Sequence, residues 1–318
     1  MPRPSSAADR PDLQAVLFAA ADQPSGFIGL QVMPIFEVDK VDGRFPVIPA
    51  EVMFSVPPTR RTDRGAYQRS DWTWDWDTYK CLENGWEEKI DDREVALYSR
   101  YFDAETMAAR RALNIVLRNQ EKRIADAVFN ISNFAVHNVD EEWDDGAKAK
   151  PIDDVKKGRK TIHDTIGMEP NTLIISYSTF LELGVCDSII DRIKYTTPAV
   201  QRGDVNVALL AQAFGVEKIL VAGSLYNSAK KGKTATLANL WPDEYAMLCV
   251  TSDSPMLGEL PCIGRTFLWT GDSPSNSVIE SYRDETVRAD VIRVRHDTDE
   301  EFIATNCAYL LGNITTYA

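Results

Sequence analysis

Apolar side chains recur at spacings of three and four along residues 103–131, which predicts one long amphipathic helix. The positions that share the apolar face are Leu113, Val116, Leu117, Ile124, Ala127, Val128 and Ile131. The opposite face is predicted to carry Arg110, Arg111, Arg118, Glu121 and Arg123. Asp103 precedes the pattern and suits the N-cap, because its carboxylate can accept hydrogen bonds from the first turn. At roughly 1.5 Å per residue, the helix would be about 40 Å long.

From residue 151 onward, short apolar runs alternate with turn residues, which predicts a compact α/β block. Pro151 is predicted to open a helix and Gly215 to end a later one. The predicted strands are NTLIIS, VEKILVA, EYAMLCVTS and RTFLWT, and the predicted short helices are YSTFLELG, DSIIDRIKY and VNVALLAQAFG. SVIESYRDE, TVRADVIRVRHD and EEFIATNCAYLLGNI predict an antiparallel meander, with turns near Asp284 and at Asp297–Glu300.

In the N-terminal third, residues 34–90 have few apolar positions with which to fill a core of their own. Residues 1–33 predict an arm with a short helical patch, and VDKVDGRFPVIP predicts a hairpin that turns at Asp42–Gly43. In DWTWDWDTYK, alternation places Trp72, Trp74 and Trp76 on one face of a strand, and Thr73, Asp75 and Asp77 on the other. We therefore expect residues 34–90 to form a two-stranded excursion that lies on another surface.

Composition and charge narrow the class of protein. The chain has 318 residues, 44% of them apolar, which is enough for a large core in one or two domains. A formal net charge of −13 is opposite in sign to the binding face of most sequence-specific DNA-binding proteins. No apolar run reaches the length of about 18 residues that a membrane helix needs, and no signal-peptide pattern opens the chain. The five cysteines are scattered, which predicts reduced, mostly buried thiols in a cytoplasm.

One stretch, GSLYNSAKKGKT at residues 223–234, has the outline of a phosphate-binding loop. A P-loop needs the spacing G-x-x-x-x-G-K-[ST], so that successive backbone N–H groups surround one phosphate. Here eight residues separate Gly223 from Gly232, and Pro242 follows too soon for the expected helix. The spacing favours a basic surface loop between two strands, with a nucleotide-binding enzyme as the alternative.

The remaining reactive residues form no convergent set. The three histidines are far apart in sequence, and no G-x-S-x-G serine is present. DEEWDDG resembles a calcium loop in charge only, because Trp143 and Ile152 stand where oxygen ligands are required. We predict no catalytic residue, no cofactor and no metal site, and we interpret DEEWDDG as a solvated loop.

Two features of residues 60–76 suggest contact with another molecule. Four arginines fall within ten residues, at Arg60, Arg61, Arg64 and Arg69. Such a run is commonly a solvated loop, but in an acidic chain it also suits docking on an acidic neighbour. The three tryptophans could stack single-stranded nucleic acid, yet the aspartates between them repel phosphate. Packing on protein is favoured, and a surface that needs cover implies self-assembly.

The succession of elements from Thr172 to Thr270 carries a resemblance. Its segments are NTLIISYSTFLELGVCDSIIDRIKY, ALLAQAFGVEKILVAGSLYNSA, LWPDEYAMLCVTSDSP and GRTFLWT. In this order they resemble the major capsid proteins of tailed bacteriophages, which have the shell fold of the HK ninety-seven type. The resemblance covers the chain from about residue 34 to its end, and its specificity lies in the order of the segments.

The resemblance implies an α+β phage capsid fold in five parts. Residues 1–33 would be the N-terminal arm and residues 34–90 the extended β-hairpin loop with its flanking strands. Residues 91–164 would be a peripheral domain with the long spine helix, and residues 165–275 the compact α/β axial domain. Residues 276–318 would be strands that return to the peripheral domain.

The resemblance also implies a function and a set of partners. The chain would be no enzyme, and would form homo-pentamers and homo-hexamers of an icosahedral head shell around double-stranded DNA. Because no additional helical N-terminal segment is present, we expect a separate scaffolding protein, unless a longer precursor is trimmed, and a portal protein. The sequence leaves open whether a decoration protein is used as well. DNA would be contacted without sequence specificity and no membrane would be involved. The protein would be in the host cytoplasm before assembly and then in the virion capsid.

The same resemblance assigns a role to the basic loop. Lys230, Lys231 and Lys233 would lie in an axial-domain loop and face acidic groups on neighbouring subunits. An encapsulin-type compartment that holds cargo enzymes is the alternative with the same fold.

Overall fold

The computed structural model describes residues 8–14, 26–47, 54–61, 63, 65–69, 74–98, 103–196, 205–230, 232–254, 256–257 and 261–316. The helices are α1 (Gly29–Val32), α2 (Asp92–Tyr98), α3 (Ala104–Val128), α4 (Pro151–Ile166), α5 (Tyr177–Leu183), α6 (Asp187–Thr196) and α7 (Val207–Phe214). The strands up to the middle of the chain are β1 (Ala8–Asp9), β2 (Ile35–Val38), β3 (Asp42–Val47), β4 (Asp75–Lys80), β5 (Leu82–Asp91), β6 (Val136–Asn138), β7 (Thr172–Ser176) and β8 (Lys218–Ala222). The later strands are β9 (Leu225–Asn227), β10 (Leu237–Asn239), β11 (Ala246–Cys249), β12 (Gly264–Trp269), β13 (Val278–Asp284), β14 (Ala289–Phe302) and β15 (Ala308–Gly312).

Two larger sheets organise the described part of the chain. A six-stranded sheet has the order β1-β13-β14-β12-β2, with β5 also paired to β14. A five-stranded sheet has the order β6-β15-β11-β7-β8. β3-β4 and β9-β10 form two further two-stranded sheets, which are not hydrogen-bonded to either larger sheet. The mixture of helices with antiparallel and parallel strands confirms the predicted α+β class.

The compact α/β block forms as its apolar runs predict, except for RTFLWT. That segment is β12, which pairs with β14 and β2 in the six-stranded sheet, so its assignment to the block is wrong. Strand β7 is buried along its whole length and pairs in parallel with β8. Pro151 stands in the first turn of α4, where its missing N–H costs nothing. Gly215 ends α7 in the left-handed region at φ 68°, which a glycine adopts without strain. The side chains that helices and sheet enclose form one cluster around Trp143, Leu173, Phe214 and Leu248.

The long helix α3 begins where the sequence predicts and ends earlier. Asp103 caps it, since its carboxylate accepts hydrogen bonds from the backbone N–H groups of Glu105 and Thr106. The helix has 25 residues and stops at Val128, so the predicted extension to Ile131 is wrong and that side chain is exposed. Glu121 was also wrongly assigned to the solvent face, because it is buried.

Pairing between distant strands overrides two predicted turns. Asp42 and Gly43 do not form a hairpin turn; both lie in β3, which pairs with β4, while β2 pairs in parallel with β12. The predicted turn at Asp297–Glu300 is absent, because β14 continues from Ala289 to Phe302 with partners along its length. The turn near Asp284 is present between β13 and β14.

The last strand lies in the five-stranded sheet. β15 pairs with β11 on one side and with β6 on the other, whereas β13 and β14 belong to the six-stranded sheet. The end of the chain therefore joins the sheet of the α/β block and does not return with its two predecessors. All five cysteines are free and buried, as their scattered positions predict.

Candidate functional site

The hairpin β3–β4 has one packed face and one uncovered face. Phe45 and Tyr79 point inward and contact the ring of Phe267, with ring centroids 5.2 and 4.7 Å apart. Trp76 is the cross-strand partner of Pro46, so it points to the opposite side. The strand therefore attaches to the six-stranded sheet through its inner face and leaves a tryptophan outside.

The predicted tryptophan face is exposed wherever the structure describes it. Trp74 is 43% exposed and Trp76 is 61% exposed, while Trp72 lies outside the described residues. Leu82 and Trp86 on β5 are exposed as well. Large apolar side chains in this position favour burial against another molecule, because each ring can bury roughly 200 Å².

The arginine segment, residues 54–69, is exposed in its described part. Arg60, Arg61 and Arg69 are exposed, and Arg64 lies outside the described residues. Arg61 donates from Nε to the carbonyl of Gly65 at 2.7 Å and lies 5.0 Å from the centroid of the Tyr67 ring. Among the residues that the structure describes, Arg60 and Arg69 have no ion-pair partner. Their charge is available to an acidic surface.

Strand pairing and one ion pair fasten the base of this excursion to the sheet. β5 pairs with β14 over ten residues. The ladder is reinforced where Arg293 Nη2 on β14 lies 2.7 Å from a carboxylate oxygen of Glu87 on β5. Arg295, nearly buried on the same strand β14, pairs instead with Glu280 of β13 and with Asp272, each at 2.7 Å. The base of the hairpin is thus fixed although its outer face is open.

Three carboxyl groups meet where β4 reaches β14. Asp299 accepts a hydrogen bond from the backbone N–H of Lys80 at 2.7 Å, which joins the two elements. Burial, with Asp299 and Asp77 nearby, raises the pKa of Glu301 to about 7. Burial also raises the pKa of Asp299. The attachment of the hairpin therefore contains a group that titrates near neutral pH.

Glu121 joins three segments that are far apart in sequence. One carboxylate oxygen accepts from the Ile28 N–H at 2.9 Å and from Trp241 Nε1 at 2.7 Å; the other accepts from the Gly29 N–H at 2.7 Å. A Cβ on Gly29 would lie 2.6 Å from that second oxygen, so a glycine is required for this approach. Burial raises the pKa of Glu121, and its three hydrogen bonds oppose that rise.

The stretch with the outline of a P-loop is the tip of hairpin β9–β10. Lys230 and Lys233 are exposed there, and Lys231 lies outside the described residues. No helix follows Thr234; β10 and β11 come next. The loop therefore lacks both the helix N-terminus and the tight glycine spacing that a nucleotide phosphate requires. The prediction of a basic surface loop between two strands is confirmed.

Within the described ranges, no group of three or more histidine, cysteine, aspartate or glutamate side chains is arranged to hold a metal ion. None of the described helices combines the length and the apolar character that a membrane crossing needs. The features that remain are surfaces: the outer face of β3–β4 with β5, the arginine segment, and the tip of β9–β10.

Comparison with known proteins identifies relatives of this chain. No protein-family model matches the chain. The chain is 30% identical over 210 residues to the major capsid protein of Burkholderia phage BcepMu, an alignment that covers 64% of this chain and 66% of that relative. This chain is a homologue of a phage major capsid protein. The alignment spans just under two thirds of the phage protein.

Solved structures extend the likeness of this capsid homologue to nearly its whole length. A phage-related protein from Bordetella bronchiseptica has a TM-score of 0.70 at 20% identity, covering 98% of this chain and 99% of that one. A virus-like particle protein from Pyrococcus furiosus has a TM-score of 0.59 at 11% identity, covering 95% and 98%. The capsid of cyanophage P-SCSP1u has a TM-score of 0.57 at 10% identity, covering 88% and 86%. The chain has the phage capsid fold that its order of elements predicts.

Proposed function

We propose that this chain is the major capsid protein of a tailed phage. Copies of it would form pentamers and hexamers, which build the icosahedral head shell around double-stranded DNA. The observation that carries the proposal is the homology with the BcepMu major capsid protein, supported by a capsid fold over nearly the whole chain. The role is structural, and none of the chemistry of an enzyme is assigned to it.

The uncovered surfaces support assembly as the use of this fold. The tryptophan face and the arginine segment belong to one excursion, attached at its base and open on its outer side. On the predicted division of the chain, this excursion is the extended loop that lies across an adjacent subunit. The division into arm, extended loop, peripheral domain, axial domain and terminal strands remains part of the proposal.

The partners follow from the same role. A separate scaffolding protein would guide assembly, a portal protein would occupy one vertex, and a decoration protein would bind outside. Packaged DNA would be contacted without sequence preference, since a chain of net charge −13 repels phosphate overall. The protein would be in the host cytoplasm before assembly and in the virion capsid afterwards.

A second candidate has a specific observation in its favour. The likeness to the virus-like particle from Pyrococcus furiosus covers 95% of the chain, so a compartment of the encapsulin type would use the same fold. The test is the content of particles formed in cells that express the chain together with the other head proteins. DNA inside supports the phage head, and a folded cargo protein supports the compartment.

A further inference from the structure

An apolar stripe runs along the outer side of helix α5. Tyr177 and Leu181 are one helical turn apart and are 54% and 51% exposed. Val185, which follows the helix, is 45% exposed. The other side of the helix is buried, with Thr179 and Leu183 facing the core. Within the described part of the chain, about half of each of these three side chains is left exposed.

A second apolar surface lies on hairpin β9–β10. Tyr226 faces the body of the protein, where Lys122 Nζ lies 5.3 Å from the centroid of its ring. Leu225 and Leu237 occupy the alternate positions, which point away from Tyr226. They are 44% and 66% exposed. The hairpin therefore presents two leucines outward beside its lysine tip.

The topology brings the two surfaces to the same edge of the five-stranded sheet. Helix α5 begins directly after β7, and β9 begins three residues after the end of β8. Because β7 and β8 are parallel neighbours, their carboxyl ends lie at one edge. Both surfaces thus belong to one end of the α/β block.

The two surfaces carry opposite charge. Residues 177–196, which span α5 and α6, contain Glu182, Asp187 and Asp191 together with Arg192 and Lys194, a net charge of −1. Residues 225–239 contain three lysines and no acidic residue, a net charge of +3. Asp191 is exposed, and Lys194 Nζ lies 4.0 Å from its carboxylate on the same helix. Opposite net charge and exposed apolar area suit the two surfaces to each other, and the apolar side chains of both are exposed in the described part of a single copy.

We propose that the α5 stripe of one copy receives the β9–β10 hairpin of the next copy. Leu225 and Leu237 pack against Tyr177, Leu181 and Val185, and the lysine tip faces the acidic flank. This contact joins two different surfaces, so it repeats head to tail and closes into a ring when the rotation allows it. The inference rests on the proposed function, and it names the partner of the basic hairpin as the α5–α6 face of a second copy.

Chemical crosslinking tests this contact directly. In the double variant Leu181→Cys with Leu237→Cys, the new thiols are exposed while the five native ones are buried. A short bis-maleimide is expected to link assembled copies into a ladder that ends at the ring size. Either single variant is the matched control and is expected to give no ladder. Assembled double variant with both new thiols reacted and no ladder would overturn the contact, while its particles would still support the shell function.

Charge reversal gives an independent readout if the cysteine pair fails to assemble. Lys230→Glu with Lys233→Glu is expected to raise the protein concentration needed for assembly severalfold, and Asp191→Lys added to it is expected to lower that concentration again. Lys148→Glu with Lys156→Glu makes the same change of charge elsewhere and is expected to leave assembly unchanged. Equal effects of the two reversals, or no recovery with Asp191→Lys, would contradict the pairing. Wild-type protein that never assembles would count against the shell function itself.

Discussion

Glu121 shows how one side chain can hold distant parts of this fold together. Its carboxylate is buried without an ion-pair partner among the described residues, and backbone or indole N–H groups meet both oxygens. A buried carboxylate is costly unless its hydrogen bonds are made. Here they are made only when the segment around Gly29, helix α3 and the loop of Trp241 come together. Glu121 therefore stabilises the folded subunit only when all three segments are in their native positions.

Replacing Glu121 by alanine is expected to destabilise the subunit by about 2–4 kcal/mol, because three buried donors lose their acceptor. Urea unfolding followed by tryptophan fluorescence measures this, and Glu141→Ala, at an exposed acid, is the control. A change no larger than that of the control would show that the three segments do not depend on this carboxylate.

Glu301 gives the subunit a pH dependence near neutrality. Its pKa is raised to about 7 by burial and by the neighbouring Asp299 and Asp77. A raised carboxyl pKa means that the folded state holds the proton more tightly than the unfolded chain does. The stability from this group is complete at low pH and is lost as the pH rises through about 7.

We therefore expect the melting temperature of the wild-type subunit to fall between about pH 5 and about pH 8 by more than that of Glu301→Gln. Thermal unfolding by circular dichroism across that range measures the difference, and Glu83→Gln, an exposed acid on β5, is the control. Parallel pH profiles for wild type and Glu301→Gln would contradict the assignment.

At the scale of secondary-structure elements, the hairpin β3–β4 has one face that packs against the six-stranded sheet and one face that is exposed. Phe45 and Tyr79 hold it to Phe267, and the ion pair of Arg293 with Glu87 fastens the adjoining strand β5 to β14. The outer face contributes little to the stability of a single copy, because Trp76 is mostly exposed. We propose that this face contacts another copy.

Trp76→Ala is expected to leave the melting temperature of the monomer nearly unchanged and to weaken each subunit contact by about 2–4 kcal/mol. Trp74→Ala should act in the same direction. Tryptophan emission should shift to the blue on assembly, since the rings leave water. Trp143→Ala, at a fully buried ring, is the contrasting variant and should destabilise the monomer instead. Normal particles from Trp76→Ala, with no shift in wild-type emission, would refute the placement.

The arginine segment is predicted to act by charge. Reversal of Arg60, Arg61 and Arg64 to Glu should leave a folded subunit that assembles poorly, and added salt should weaken wild-type assembly too. As the control, reversal of Lys148, Lys156 and Lys160 to Glu changes the net charge by the same amount on a different exposed surface. Light scattering measures both variants. If the two triple variants assemble equally well, the arginine segment makes no specific contact.

The elements that the sequence predicts well are those whose apolar pattern is local. Strand β7 is an apolar run that is buried along its whole length. Pro151, which begins α4, and Gly215, which ends α7, are local residue signals for helix ends. The pairing of β3 with β4 is not local, because it depends on Phe45 and Tyr79 meeting Phe267 far along the chain. Glu121 was missed because a charged residue in a helical pattern normally marks the solvent side. Gly29 and Trp241, its partners, carry no signal that links them to it in one sequence.

At the scale of the whole molecule, the surfaces that stabilise one copy differ from those that we propose for assembly. Two sheets and helix α3 enclose the buried clusters, while exposed apolar and charged groups concentrate on the outer face of β3–β4 and at one end of the α/β block. A net charge of −13 keeps free copies apart until complementary surfaces meet. This separation suits a protein that must fold alone and then assemble with many copies of itself.

Electron cryomicroscopy of particles from cells that express the chain with its scaffolding partner is the sharpest test of the proposed shell function. We expect closed shells of uniform size, with five- and six-membered rings built from this chain. In each ring, the β9–β10 hairpin of one copy should lie on helix α5 of the next. Protein that stays monomeric at high concentration with the scaffolding partner present would show that this chain does not form a shell.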